Sequence, residues 1–178
     1  EKIEKGKHIG ISSSFIQYFE KKLNIPFNLV PTNSWTQTLE YIKEKKCDML
    51  PLAMETKERK KYLNFTKDYI QVPLVLITKE SIPFITSIEE LNGKKIGIPK
   101  NYAFNEIIRQ KYPKVKIIDV KNLHEGLEKI EKDELWGQIS TNITTAYEFG
   151  RHFHKNLKIS GHFDRSWDLS IAVQKEDT

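Results

Sequence analysis

Between Met54 and Tyr69 the chain reads METKERKKYLNFTKDY, with Arg59 standing among lysines. A guanidinium is planar, stays charged, and presents its donors as a fork that matches a carboxylate. Here the arginine follows a loop at the end of an apolar strand. It precedes a segment that runs extended again through Phe65 and Thr66. Placed so, it can face a cleft and grip a carboxylate with both arms; the other reading is a solvated arginine on a lysine-rich turn. Other reactive side chains suggest less. His152 and His154 form an H-x-H pair past a helix end with no third ligand beside them in sequence, so they read as surface histidines and no metal is expected. Glu55 and Glu58 could be a carboxylate pair for acid–base work, but lysines flank them and no nucleophile is near, which is the pattern of a solvated face. No glycine-rich phosphate loop and no Ser-His-Asp arrangement stands out. Neither catalysis nor a cofactor is expected.

The elements around Arg59 must fit 178 residues, enough for one domain or two small lobes. Hydrophobic residues are 38% and charged residues 30% of the chain, a core under a well-solvated exterior. No apolar run approaches the roughly 18 residues of a bilayer span. The start, EKIEKGKHIGI, lacks the apolar core of a signal peptide. The net charge of +5 invites a nucleic-acid reading. The lysines alternate with glutamates, as in Glu128-Lys129-Ile130-Glu131-Lys132, which is how solvated helix faces look. Nucleic acid is therefore not an expected partner, and a mild attraction for anionic ligands or an anionic membrane surface is. The single cysteine, Cys47, excludes an internal disulfide and a cysteine-based metal site; at a helix-to-strand junction it reads as a partly buried, inert thiol.

Periodicity alternates helix and strand along the chain. Ser14 to Gln17 reads as a capping box opening a helix that buries Phe15, Ile16, Phe19 and Leu23 and ends at Asn24 and Pro26. Phe27 to Val30 reads as a strand. Ser34 to Gln37 caps a second helix with Leu39 and Ile42 inward, and Asp48 to Leu52 is a short apolar strand. The β-branched run Val72 to Thr78 is long enough for a buried strand. After it come a short helix capped at Ser87, a strand from Lys95 to Ile98, a helix from Asn101 to Lys111 and a strand from Val115 to Val120. A helix capped at Asn122, a strand from Gly137 to Thr141 and a helix from Asn142 to Phe149 follow, then strands at Leu157 to Ser160 and Leu169 to Val173. This repetition predicts an α/β architecture of mainly parallel sheets flanked by helices.

The order of these pieces resembles the family 3 extracellular solute-binding proteins, which have the type 2 periplasmic-binding-protein fold. The resemblance rests on Asn33-Ser34-Trp35, on Lys45-Lys46-Cys47-Asp48, and above all on Thr56 to Tyr69 and Leu91 to Ile98, with Leu169 to Val173 near the end. Similar modules are the ligand-sensing ectodomains of bacterial transmembrane histidine kinases and diguanylate cyclases. The resemblance implies two lobes, 1–71 with 170–178 and 72–169, that close on a small ligand like a flytrap. It implies a strand and an aromatic-proline loop ahead of the hairpin at Lys5-Gly6-Lys7, and a helix after Gln174-Lys175; this sequence carries neither. A lobe lacking that central strand is expected to be unstable alone.

Residue by residue, the resemblance gives Arg59 the ligand's carboxylate and Trp35 its aromatic contact. The backbone from Leu52 to Met54 would offer amide and carbonyl groups. In the second lobe the turn Asn101-Tyr102-Ala103 lies at a helix N-terminus, a place suited to anions. Near Thr141 the amino-acid binders carry an acid for the ligand's ammonium, and Ser140-Thr141-Asn142 has none; Asp168 is a possible substitute. The function implied is a ligand sensor outside the cytoplasm, tethered to a membrane signalling protein. The alternatives are a receptor feeding an ABC permease and a dehydratase-like enzyme on the same fold.

Overall fold

The computed structural model describes residues 2–4, 6–152 and 154–175. In chain order the elements begin β1 (Lys2–Glu4), β2 (Lys7–Ile9), α1 (Ile11–Leu23), α2 (Trp35–Lys43), β3 (Met49–Ala53), a 3-10 turn (Arg59–Lys61) and β4 (Leu63–Phe65). They continue with β5 (Ile70–Lys79), a second 3-10 turn (Ile88–Leu91), β6 (Lys95–Pro99), α3 (Ala103–Lys111), β7 (Lys116–Val120), α4 (Leu123–Glu131), β8 (Gly137–Thr141), α5 (Asn142–Arg151) and β9 (Leu157–Gln174). Two compact units result: Glu1–Asp68 with Leu169–Thr178, and Tyr69–Asp168. Among the described residues no helix is long and apolar enough to cross a membrane.

In the first unit β1 and β2 form an antiparallel hairpin. Gly10, at φ 136, then turns the chain into α1, a backbone conformation that side chains with a Cβ rarely adopt. The helix therefore starts at Ile11, and Ser14 is not its cap; Ser13 Oγ donates instead to the Gly10 carbonyl at 2.6 Å. The expected buried stripe of α1 also differs: Phe15 is 38% and Leu23 56% exposed. Residues 25–32 form no strand. Leu29 and Val30 have the right side chains, but among the described residues no neighbour offers them a ladder, and extended backbone without one has no reason to be a strand. Both β3 and β4 pair antiparallel with the end of β9, so the described ladders of this unit are antiparallel where mainly parallel ones were expected. Ile42, Leu50, Ala53, Leu63 and Ala172 form the core, with Trp35, Leu39 and Cys47 packed against it. Burial pushes the Cys47 thiol up, which keeps it protonated and inert. Gln174 Nε2 donates to the carbonyls of Ile42 at 2.6 Å and Cys47 at 3.3 Å, tying β9 to the end of α2 and the segment after it.

The second unit has the strand order β9-β5-β8-β6-β7. β6 runs parallel to β7 and β8, and β5 runs antiparallel to β8. The alternation along β5 explains the layers. Leu74 and Leu76 enter one apolar cluster with Phe104 and Ile108 of α3, while Val75 and Ile77 enter another with Leu123, Leu127 and Ile130 of α4. A strand covered on both faces must be apolar at successive positions, which is why Val72 to Thr78 reads as a continuous run. The β9 strand joins two segments that the sequence separates, because Gly161 to Asp168 carries too many polar residues to read as strand. The second 3-10 turn begins with a complete capping box between Ser87 and Glu90. Hydrogen bonds from the Thr86 and Ser87 amides hold the Glu90 carboxyl below its usual range.

Gly97, Gly126, Gly137 and Gly161 each meet a close approach, Gly126 the closest. A Cβ on Gly126, within α4, would sit 1.4 Å from Gln138 Oε1, and Gln138 is fully buried. Alanine ordinarily favours a helix interior over glycine by about 1 kcal/mol. At this position the clash reverses the sign: Gly126→Ala should lower stability by about 1–3 kcal/mol. Adding Gln138→Ala should recover part of the loss. Urea denaturation of the two variants checks both; a single variant more stable than the parent chain would contradict the packing described.

Candidate functional site

In the first unit β3 ends at Ala53 and the chain turns through Met54 to Glu58. Thr56 organises that turn: its hydroxyl accepts from Arg59 N at 3.2 Å and its carbonyl from Lys60 N at 2.9 Å. Arg59 is thereby drawn inward and is 5% exposed, unlike its neighbours Lys60 and Lys61. Its Nη1 donates to the Met54 carbonyl at 2.8 Å, and its Cζ lies 5.2 Å from the centre of the Trp35 ring. Trp35 is the first residue of α2, placed by the Ser34 cap that accepts from Gln37 N at 3.2 Å. Gln37 Oε1 reaches back to Asn33 N at 2.7 Å. Arg59, Met54 and Trp35, named separately from the sequence, are thus brought together. Leu52 stands half-buried on β3, two residues before Met54.

This arrangement can orient an anion. A guanidinium has five N–H donors; the Met54 carbonyl fixes one edge and the Trp35 ring supports the cation. The solvated-arginine reading is overturned by the burial. The flanking acids take no part: Glu55 pairs with Lys60 and Glu58 with Lys61, each at 2.7 Å on the exposed side.

In the second unit Asn101 adopts a left-handed φ of 62 and Tyr102 is the N-cap of α3. The helix therefore starts two residues later than read from sequence. Ala103 is buried, so only its backbone could serve a ligand, as part of a helix start whose first amides lack intrahelical acceptors. The Tyr102 ring lies 5.0 Å from that of Trp167 on β9, and burial pushes the phenol up, leaving it a neutral donor. Thr141 is the N-cap of α5: its hydroxyl accepts from Thr144 N at 3.1 Å and meets Thr144 Oγ1 at 2.7 Å. That hydroxyl has a structural task, and next to it Asn142 Oδ1 is buried with no hydrogen-bond partner among the described residues. Trp167 Nε1 is likewise buried and unpartnered. Unpaired buried polar atoms cost about 1–3 kcal/mol each; Gln138 Oε1 and Nε2 share the feature in the core, and Asn142 and Trp167 are the candidate ligand contacts because the first adjoins the Thr141 cap and the second packs on Tyr102. The sequence signal for Asn142 was the missing acid at this point; Trp167 gave none, since its segment did not read as strand. Asp168 Oδ1 accepts from Ser166 Oγ at 2.5 Å.

Because Arg59 is buried and bonded, its removal has a structural cost. Arg59→Ala should lower stability by about 1–3 kcal/mol by stranding the Met54 carbonyl. Trp35→Phe should cost less than Trp35→Ala, since it keeps a ring against the guanidinium. Thermal denaturation of the three variants checks this; an Arg59→Ala chain as stable as the parent would contradict the contacts described.

Residues 2–146 match the bacterial extracellular solute-binding proteins, family 3. The virulence sensor protein BvgS of Bordetella pertussis is 19% identical over 170 residues, which is 95% of this chain and 14% of that protein. The L-cystine-binding protein TcyJ of Escherichia coli K12 is 25% identical over 175 residues, 96% of this chain and 64% of that protein. The crystal structure of the BvgS periplasmic VFT2 domain superposes with a TM-score of 0.80 at 19% identity, covering 93% of this chain and 71% of that one. The chain thus spans a small part of the sensor and just under two thirds of the cystine-binding protein. With the family's pattern matched over most of its length and a fold shared with that domain, the chain belongs to the bacterial extracellular solute-binding proteins, family 3.

Proposed function

We propose that this domain binds a small, carboxylate-bearing solute outside the cytoplasm and passes on its occupancy by closing, as the sensing part of a membrane signalling protein such as a histidine kinase. The observation that carries the ligand class is the buried Arg59, set by the Met54 carbonyl against Trp35. A guanidinium fork favours a planar anion over a point charge. In the second unit Asn101, the Tyr102 phenol, the Ala103 amide, Asn142 Oδ1 and Trp167 Nε1 are the polar groups proposed as solute contacts. The resemblance implies an acid near Ser140-Thr141-Asn142 in amino-acid binders of this family, and here Asn142 offers a neutral acceptor instead. That favours an organic acid or a weakly held amino acid over one with a tightly paired ammonium. The role proposed is binding without catalysis.

The signalling role is supported by the alignment with BvgS along 95% of this chain. The alignment with the cystine-binding protein over 96% of it supports a second reading, a receptor that delivers solute to an ABC permease. The coding sequence on either side separates the two: a transmembrane helix followed by a kinase region supports the sensor.

Ligand class is tested by thermal denaturation against organic acids, amino acids and small amines. A ligand at 100 times its Kd stabilises by about 2.7 kcal/mol. Carboxylates should raise the Tm and their amides should not. Arg59→Lys should lose at least tenfold in affinity, because an ammonium cannot present the fork. Stabilisation by amines alone, or by carboxylates equally in the Arg59→Lys chain, would overturn the assignment.

A further inference from the structure

His152 and His154 have no third metal-ligating side chain beside them in sequence, but in the second unit His124 and Glu148 come to His152 from other turns of the chain. His124, in the first turn of α4, lies with its ring centre 5.0 Å from that of His152, just past the end of α5. Glu148, one turn before His152 on α5, reaches the same point: its Oε1 is 2.6 Å from His124 Nδ1. One donor atom from each of His124, Glu148 and His152 falls within 4.8 Å of the other two. An ion with ligand bonds of about 2.1 Å draws tetrahedral donors to about 3.4 Å of one another. Both imidazoles are exposed, so rotation of their side chains can close that difference without moving either helix.

A further layer holds the carboxylate. His154, only 5% exposed, places Nε2 3.2 Å from Glu148 Oε1 and Nδ1 3.4 Å from Glu131 Oε1. Both its ring nitrogens are occupied, so it is a positioning residue, of the kind that sets a metal-binding carboxylate. Glu128 Oε1 lies 3.6 Å from His124 Nε2 on the same side of α4. We propose that His124, Glu148 and His152 form a site for a divalent transition-metal ion of the Zn2+ type, tying the start of α4 to the end of α5. Two imidazoles and a carboxylate suit a borderline ion. Three protein ligands leave a coordination position for water or for a donor from a partner.

Isothermal titration of the EDTA-stripped chain with ZnCl2 tests the site. One ion per chain is expected, with a rise in Tm that grows with free Zn2+. His124→Ala with His152→Ala should weaken binding at least 100-fold, His154→Gln about 10- to 100-fold, and His162→Ala, elsewhere in the unit, not at all. Co2+ added to the unaltered chain gives a readout that needs no variant. It should show the intense visible bands of a low-coordinate site, bleached by Zn2+, without the charge-transfer band of a thiolate. The absence of saturable binding, undiminished binding in the double variant, or a thiolate band implicating Cys47 would each overturn the proposal.

Discussion

A guanidinium taken out of water is the constraint on which the first unit is arranged. Arg59 keeps its charge at any physiological pH, so its burial must be met by oriented acceptors and a polarisable face. The turn set by Thr56, the carbonyl left by Met54 after β3, and the tryptophan opening α2 supply these from three stretches of sequence. Each depends on a different device. β3 is fixed by its ladder to β9, α2 by the Ser34 cap, and the arginine turn by a threonine hydroxyl and carbonyl. The chain beyond the turn is fastened too: Thr66 N donates to the Ile171 carbonyl at 3.0 Å and Ser170 Oγ to Asp68 at 2.5 Å. The METKERKKYLNFTKDY segment thus joins the arginine to β9 at both chemical and structural levels.

The second unit answers to a different constraint, double-sided burial of β5. Its two apolar clusters set α3 on one face and α4 on the other. Fixing α3 sets Tyr102 at its cap, and fixing α4 and α5 sets the histidine cluster and the Thr141 cap. Apart from Trp167 within β9, the groups that could recognise a solute here sit at element ends, where backbone amides and carbonyls are open. The regular interior of the unit is free to be apolar.

Much of this was legible in sequence where the signal was local. The run Val72 to Thr78, the Ser87 box and the caps at Ser34 and Asn122 depend on residues within a few positions of one another, and all appear. Phe27 to Val30 had strand composition, but whether it forms a strand depends on a distant partner. The start of α1 was misplaced because Gly10, not the serine run, decides it. β9 was read as two pieces since its middle lacks an apolar pattern. At the candidate site Arg59 and Trp35 were legible through their motifs. The burial of Arg59, the unpaired Asn142 and Trp167 atoms and the meeting of His124 with His152 were not, because each arises between elements far apart in the chain.

The central claim is that Arg59 receives a ligand's carboxylate. Nitrogen-15 NMR of the arginine side chains, with the Arg59 signal assigned by its loss in Arg59→Lys, reads that contact directly. On adding a carboxylate that raises the Tm, the Arg59 Nε and Nη resonances should shift and saturate with the binding curve, while the matching amide leaves them in place. Saturable binding with the Arg59 signals unmoved would contradict the account.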